Sequence, residues 1–387
     1  MLTLTGNVNI ILFQRRFQMK HKTLLVMFLS IFLAAFLSMG AFGTGQGEKA
    51  TGGKVVSPRG GQVSEFYPEF GVIPAPSKKW RIGVMEKTLI NDFWLDCKNG
   101  YEDAAKDYGV EVDIYAAPSE NDLLLQKQIM DDMLAKNYDI LCVSPITDSD
   151  LITPLAKATS MGIPIINSID AHISKEAQKK NNIKIEAFIT VDFKENTRMS
   201  VRYLAKKLGS EGGELIHIQG LPGGRCAEER KAGYLEEIAK YPQLKNVGTV
   251  PGDWDRKKAM DIAADMLQAH PNLKGIVAAN DTMALGALQA VKNAGMLGKV
   301  LVTGVDAIPD AIIAIKKGEL AATTAFFQYQ QAYMSVEASI LYLEGKFSDK
   351  PKTIFVHQEI WDKNNIDEKI NKYKKQYLGL QKLQEKK

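Results

Sequence analysis

The residues of this chain best suited to chemistry are Asn280 and Asp281, in the stretch Gly275-Ile-Val-Ala-Ala-Asn-Asp-Thr-Met-Ala-Leu-Gly-Ala-Leu288. An amide offers two donors and an acceptor while a carboxylate offers acceptors alone, so the pair can grip vicinal hydroxyls. The competing reading has Asp281 capping the helix that an Ala/Leu pattern predicts from Thr282. Comparable groups recur along the chain: Asn91-Asp-Phe-Trp94, Ser144-Pro, Asn167-Ser-Ile-Asp170, Arg230, Asp253-Trp-Asp255 and Asp306. Aromatic faces with a polar edge suit a ring that has apolar C–H faces and a rim of hydroxyls, as pyranoses and furanoses have. Phe93, Trp94 and Trp254 would wall such a site. Helix starts also use a large apolar residue as a staple, so one of Phe93 and Trp94 is expected in the core and the other at the site. The rigid fork of Arg230 suits a hydroxyl or carboxylate; its rival is a solvated helix face in Glu228-Glu-Arg-Lys231. For Asp306 the rival is again a helix cap.

Catalytic and cofactor signatures are missing. Gly220-Leu-Pro-Gly-Gly is neither a dinucleotide fingerprint nor a phosphate loop, and there is no GxSxG elbow. Of the five His, His21 falls in the N-terminal leader, His217 in an apolar strand and His270 before Pro271, while His172 and His357 have no evident acid or nucleophile partner. The three Cys (Cys97, Cys142, Cys226) form no CxxC and no cluster with His, which removes support for a metal site. Cys97 and Cys142 read as small buried hydrophobes; an oxidising compartment leaves room for one disulfide. The expectation is a binding protein, not an enzyme, with no cofactor and no metal.

The candidate groups share one position, just after an apolar run. Strands are predicted at Arg81–Met85, Val110–Ala116, Ile140–Ser144, Pro164–Ile166 and Ala187–Thr190, with helices at Phe93–Tyr108, Asp122–Lys136 and Asp150–Met161; Lys175–Lys184 reads as a loop. The alternation then restarts. Strands Glu214–Gln219, Val247–Pro251, Ile276–Ala279, Val300–Gly304 and Ala321–Ala325 alternate with helices at Glu195–Leu208, Ala227–Lys240, Asp255–His270, from Thr282, and Ile308–Lys317. A long helix over Gln328–Glu344, a strand near Thr353–Ile360 and a helical end from Ile366 complete it. Strand–helix units of about 30 residues imply right-handed crossovers and parallel sheets covered on both faces. Open sheets of this kind bind ligands at the carboxyl edge of their strands, so two lobes facing each other would gather these loops around one cleft.

Composition agrees, with 45% hydrophobic and 24% charged residues over 387, enough for two lobes. The formal charge of +4 comes from the N-terminus: Arg15, Arg16, Lys20 and Lys22 stand there without an acid, and the remaining basic residues balance the 45 acidic ones. A near-neutral body offers no electrostatic case for nucleic acid. After Met19-Lys-His-Lys22, the apolar run Leu24–Leu37 and the small residues of Gly40-Ala-Phe-Gly43 read as a secretory signal. The run is short for a membrane span of about 20 residues. Residues rich in Gly, Pro and Lys follow, with Glu65-Phe-Tyr-Pro-Glu-Phe70 as an aromatic island, and read as a linker or an arm laid over the first lobe.

Several of these motifs match a known family in order. Asn91-x-Phe-Trp94, Gly100-Tyr-Glu-Asp-Ala-Ala-Lys-Asp-Tyr-Gly109, Ser144-Pro-x-Thr-Asp-Ser-Asp150, Gly162-Ile-Pro164, Arg230-x-x-Gly-Tyr234, Asp253-Trp-Asp255, Ala279-Asn-Asp-x-Met-Ala-Leu-Gly286, Gly304-x-Asp306 and Gly318-x-Leu-Ala-Ala-Thr323 resemble the type I periplasmic binding proteins of the ribose-binding kind, from about Trp80 to Ile360. The resemblance implies two doubly wound parallel-sheet lobes joined by a three-segment hinge and closing over a ligand. Boundaries follow at 1–43 for the signal, 44–78 for the arm, 79–191 with 327–351 for the first lobe, 192–326 with 352–365 for the second, and 366–387 for a charged tail. It assigns sugar contacts to Asn91, Phe93, Trp94, Arg230, Trp254, Asn280 and Asp306. Departures occur where sugar binders often carry Asp-Arg, here Asn167-Ser-Ile-Asp170, and where they often carry Gln, here Phe326 with Gln328 close by. With Ser144, these complete the candidate set. The resemblance implies a monomeric periplasmic component of an importer, docking on an ABC permease. The Asn-x-Ile-Asp run and Asp92-Phe-Trp94 are similar to sensors of trimethylamine N-oxide or autoinducer-2, so an alternative partner is a sensor histidine kinase.

Overall fold

A computed structural model describes residues 57–170, 173–350, 352–373 and 376–377. The signal read over 1–43, residues 44–56, Ala171-His172 and the end of the tail lie outside them. The described chain opens with a small antiparallel hairpin, β1 (Gln62–Val63) and β2 (Val72–Ile73). The first lobe follows as β3 (Arg81–Glu86), α1 (Asp92–Tyr108), β4 (Glu111–Ala116), α2 (Leu123–Met133), β5 (Ile140–Val143), α3 (Ile152–Ser160), β6 (Ile165–Ser168), α4 (Lys175–Asn181) and β7 (Ala187–Thr190). The second comprises α5 (Phe193–Leu208), β8 (Gly213–Gln219), α6 (Arg225–Ile238), β9 (Leu244–Pro251), α7 (Arg256–Ala269), β10 (Leu273–Ala278), α8 (Asp281–Asn293), β11 (Leu301–Asp306), α9 (Pro309–Lys316) and β12 (Ala322–Ala325). Then come α10 (Gln328–Leu343), β13 (Thr353–Phe355), β14 (Glu359–Asp362) and α11 (Ile366–Lys372).

Two six-stranded sheets result, in the orders β13-β7-β6-β5-β3-β4 and β14-β12-β11-β10-β8-β9. Every pair is parallel except β12 with β14. A strand such as β5 is buried on both faces, which is why it reads as an unbroken apolar run instead of an alternating one. In each lobe the chain begins at an inner strand, β3 or β8, and its first two crossovers run to opposite sides. The loops flanking that reversal diverge and leave a crevice at the carboxyl edge.

The chain crosses between lobes at Val191-Asp192, at Phe326-Phe327 and over Val356–Gln358. One expectation changes here. The run Thr353–Ile360 is not a single strand: β13 pairs with β7 in the first sheet and β14 with β12 in the second. The third crossing therefore falls after Phe355, not at residue 351, because main-chain pairing rather than apolar pattern decides the sheet. Phe327 takes a left-handed conformation, φ 58°, at the second crossing. Lys175–Asn181, read as loop, forms α4 behind a Ser174 cap whose side chain accepts from Ala177 N.

Residues 57–80 are an arm packed along α10. Phe70 and Ile73 are buried, and Phe66 meets Tyr333 edge-on at 5.1 Å. Trp80 Nε1 donates to Glu344 at 2.6 Å. At the centre, Ser64 Oγ and Tyr108 OH donate to the two oxygens of Glu337 at 2.5 and 2.7 Å. Burial pushes the Glu337 carboxyl up to about 7 from an ordinary 4.5, against the opposing effect of those donors and of Arg59. A carboxyl held protonated by the fold stabilises it fully at acid pH and loses that contribution as pH rises through about 7. The thermal midpoint of Glu337→Gln is accordingly expected to fall less between about 4.5 and about 7 than that of the unsubstituted protein, read by calorimetry across that window.

Candidate functional site

Carboxyl-edge loops of both sheets converge on a narrow cavity between the lobes, lined by Asn91, Phe93, Trp94, Glu120, Asp170, Cys226, Arg230, Trp254, Asn280, Asp306 and Phe326.

From the first lobe, Asn91 caps α1 by accepting from Trp94 N at 3.3 Å, and its Nδ2 donates to Glu120 Oε1 at 2.9 Å. Trp94 Nε1 donates to the same oxygen at 2.9 Å, so two cavity side chains are aligned by one carboxylate. Phe93 and Trp94 are both buried, 8% and 1% exposed, and both line the cavity, their rings 4.9 Å apart at 81°. The expected division into one core ring and one site ring does not occur, because successive residues at a helix start both face the lobe interface. Asp170 Oδ2 accepts from Lys87 Nζ at 2.7 Å, deep in the structure. Burial lowers the Lys87 pKa, but the adjacent carboxylates outweigh it and hold the amine charged.

From the second lobe, Arg230 is 3% exposed and so not a solvated helix residue. Its Nε donates to Asn196 Oδ1 at 3.0 Å and its Nη1 to Ala279 O at 2.7 Å, while Nη2 stands 3.6 Å from Asp306 Oδ1. Phe326 and Trp254 flank the guanidinium at 5.2 and 5.8 Å. Asp253 and Trp254 have φ 54° and 65°, a tight turn that swings the indole into the cleft. Gly220 lies under that indole: a Cβ there would overlap the ring.

Asn280 and Asp281 divide their tasks. Asn280 Oδ1 caps α8 by accepting from Met283 N at 2.9 Å, and the residue also lines the cavity. Asp281 is turned away, accepting from Thr323 Oγ1 at 2.7 Å and Ile308 N at 3.0 Å, so it braces the loop after β11 instead of sharing a solute with its neighbour. Nor does Asp306 cap α9, whose cap position is Ile308.

Three expected contacts stand outside the cavity lining. Ser144 Oγ donates to Ser168 O at 2.8 Å, Asn167 Nδ2 to Val143 O at 3.2 Å with its Oδ1 accepting from Ile173 N, and Gln328 Nε2 to Asp96 at 3.0 Å. Each is committed to bracing a loop or the hinge. Glu120 and Cys226 line the cavity, and Lys87 backs it through Asp170, although the sequence pattern pointed to none of them. Glu120 lies in the loop after β4, and Lys87 directly follows the end of β3, the one signal that could have marked it. All three Cys are free and buried. His217 is structural, its Nδ1 against Val277 O at 2.8 Å and its ring stacked on Tyr234, with burial lowering its pKa to about 4. No cluster of metal-ligating side chains occurs among the described residues.

Two tandem doubly wound lobes with a polar and aromatic cavity between them define a solute-binding protein of the type I periplasmic fold. A family model for the periplasmic binding protein domain matches residues 82–347, and the chain belongs to that family. It is 44% identical over 242 residues to the D-allose-binding periplasmic protein of Escherichia coli K12, covering 62% of this chain and 78% of that one. With the ribose import binding protein of Bacillus subtilis 168 it shares 32% identity over 269 residues, 70% and 83% of the two chains. Among solved structures, an ABC transporter solute-binding protein from Actinobacillus succinogenes with bound D-allose superposes with a TM-score of 0.71 at 31% identity, covering 75% of this chain and all of that one. One from Agrobacterium vitis bound with α-D-tagatopyranose gives 0.69 at 25%, covering 74% and 96%. These relatives are transport binding proteins, and this chain is a binding protein, not an enzyme.

Gly220→Ala tests how the second wall is set. Displacement of Trp254 from its seat should red-shift the tryptophan emission and raise its quenching by acrylamide, with the far-UV circular dichroism unchanged.

Proposed function

We propose that this protein captures a monosaccharide in the cleft between its lobes and delivers it to an ABC permease, as the periplasmic component of an importer. The observation that carries the reading is a pair of orphaned acceptors. Asp170 Oδ1 from the first lobe and Asp306 Oδ1 from the second are buried without a hydrogen-bond donor among the described residues, and both residues line the same cavity. A buried unsatisfied acceptor costs about 1–3 kcal/mol. Hydroxyl groups of one bridging solute would satisfy both at once, while Trp94, Trp254 and Phe326 cover its C–H faces.

Each charged group nearby already has a counter-charge, Lys87 with Asp170 and Arg230 beside Asp306, which favours a neutral polyhydroxylated ligand over an ionic one. The D-allose-binding relative makes D-allose the first candidate, and D-ribose the second. Bridging both lobes, the sugar stabilises the closed form and shifts the open–closed equilibrium toward it; the closed form is what the permease reads. Export by the signal at residues 1–43 and action as a monomer complete the proposal. The import relatives favour this over a sensory protein docked on a histidine kinase.

Calorimetry with D-allose and D-ribose checks the assignment. Asn280→Ala and Asp306→Ala should retain the fold and each lose about 2–4 kcal/mol of affinity, because each strips a partner from buried hydroxyls. Part of the Asn280→Ala effect on stability, about 1 kcal/mol, is the lost cap of α8. Wild-type affinity in both variants would refute the site.

A further inference from the structure

The turn that carries Asp306 is held from both of its main-chain sides, and one of the holders comes from the far end of the chain. Asp306 and Ala307 lie at φ 116° and 56°, conformations that non-glycine residues keep only where their surroundings over-determine them. On the N–H side, Ile308 N donates to Asp281 Oδ2 at 3.0 Å, and Ala307 N donates at 3.2 Å to Thr323 Oγ1, which itself donates to Asp281 Oδ1 at 2.7 Å. On the carbonyl side, Tyr377 OH donates to Ala307 O at 3.1 Å and accepts from Gln376 Nε2 at 3.1 Å.

Tyr377 is seated as firmly as a core residue. It is 2% exposed, and its ring lies 5.5 Å from Trp361, which stacks on Tyr373 at 5.8 Å; Tyr373 in turn packs at 4.5 Å on Phe327 in the second lobe crossing. Asp281 and Thr323 fall inside the residues that match the family, 82–347, whereas Tyr377 lies beyond them.

We infer that Tyr377 is a positioning residue for the ligand site: by fixing the Ala307 carbonyl it locks the strained turn that aims the Asp306 carboxylate into the cavity. The inference rests on the assignment of Asp306 to ligand binding made above. It makes the C-terminal segment a working part of the cleft, although none of its described side chains lines the cavity. An ordinary buried tyrosine would contribute to stability alone, and the two roles separate by experiment.

Tyr377→Phe keeps the ring and removes the hydroxyl. Two readouts apply: amide hydrogen exchange across residues 306–308 in the sugar-free full-length protein, and the Kd for D-allose by calorimetry. Exchange at this turn should accelerate about tenfold while β8 and β10 stay protected, and Kd should rise about five- to tenfold, the equivalent of one lost hydrogen bond. In an Asp306→Asn background, titrated to high sugar concentration, the same change should alter Kd less than about twofold, since the group being aimed is already disabled. Ile370→Ala, a buried residue of α11, serves as the control: it should lower the thermal midpoint and leave Kd unchanged. Unaltered exchange in Tyr377→Phe overturns the inference, as does an equal loss of affinity in both backgrounds or in the control. Faster exchange in Tyr377→Phe with no D-allose or D-ribose binding by the unsubstituted protein would refute the sugar assignment and uphold the clamp.

Discussion

Everything around the cleft depends on keeping one guanidinium dry. A buried, unpaired cation costs several kcal/mol, so Arg230 can sit between the lobes only beside a counter-charge and acceptors. Asn196 on α5 takes Nε and the carbonyl of Ala279 at the end of β10 takes Nη1. Asp306 supplies the counter-charge, and Phe193, Phe326 and Trp254 surround the delocalised face. Those partners come from the first helix of the second lobe, from three different strand ends and from the second lobe crossing. Satisfying a single side chain thereby fixes the relative placement of most of the site.

The first lobe solves the same problem with a different pair. Lys87 and Asp170 form a buried ion pair at 2.7 Å, and Glu120 gathers Asn91 and Trp94. Both lobes follow one winding order, so their reversal points face each other across the hinge, and each presents a carboxylate and an aromatic ring, with Arg230 added from the second. Such pseudo-symmetry suits a small ring with hydroxyls on opposite edges.

Much of this was legible in the residues because strand ends are punctuated: Asn91, Asp170, Trp254, Asn280 and Asp306 come after apolar runs, Arg230 sits in the helix after β8, and all six line the cavity. What escaped was direction. Ser144, Asn167 and Asp281 stand at equally promising ends, yet their side chains turn back to brace main-chain groups, and one-dimensional spacing carries no information about which way a side chain turns. Glu120 was hidden because its value lies in aligning Asn91 and Trp94, a tertiary relation. The split of Thr353–Ile360 between two sheets was invisible for a related reason: an apolar run records burial and not the neighbour it is buried against.

The arm along α10 has a practical consequence for how the protein is handled. Similarity to the family begins at residue 82, so a chain trimmed to that boundary would retain every cavity residue. It would also strip the cover from Tyr329, Tyr333 and Glu337 and release Glu344 from Trp80. The bared flank would be a band of tyrosine rings stripped of their apolar cover, a surface that invites self-association. Recombinant forms are better begun upstream of Arg59, where the arm's main chain first pairs with Asp107.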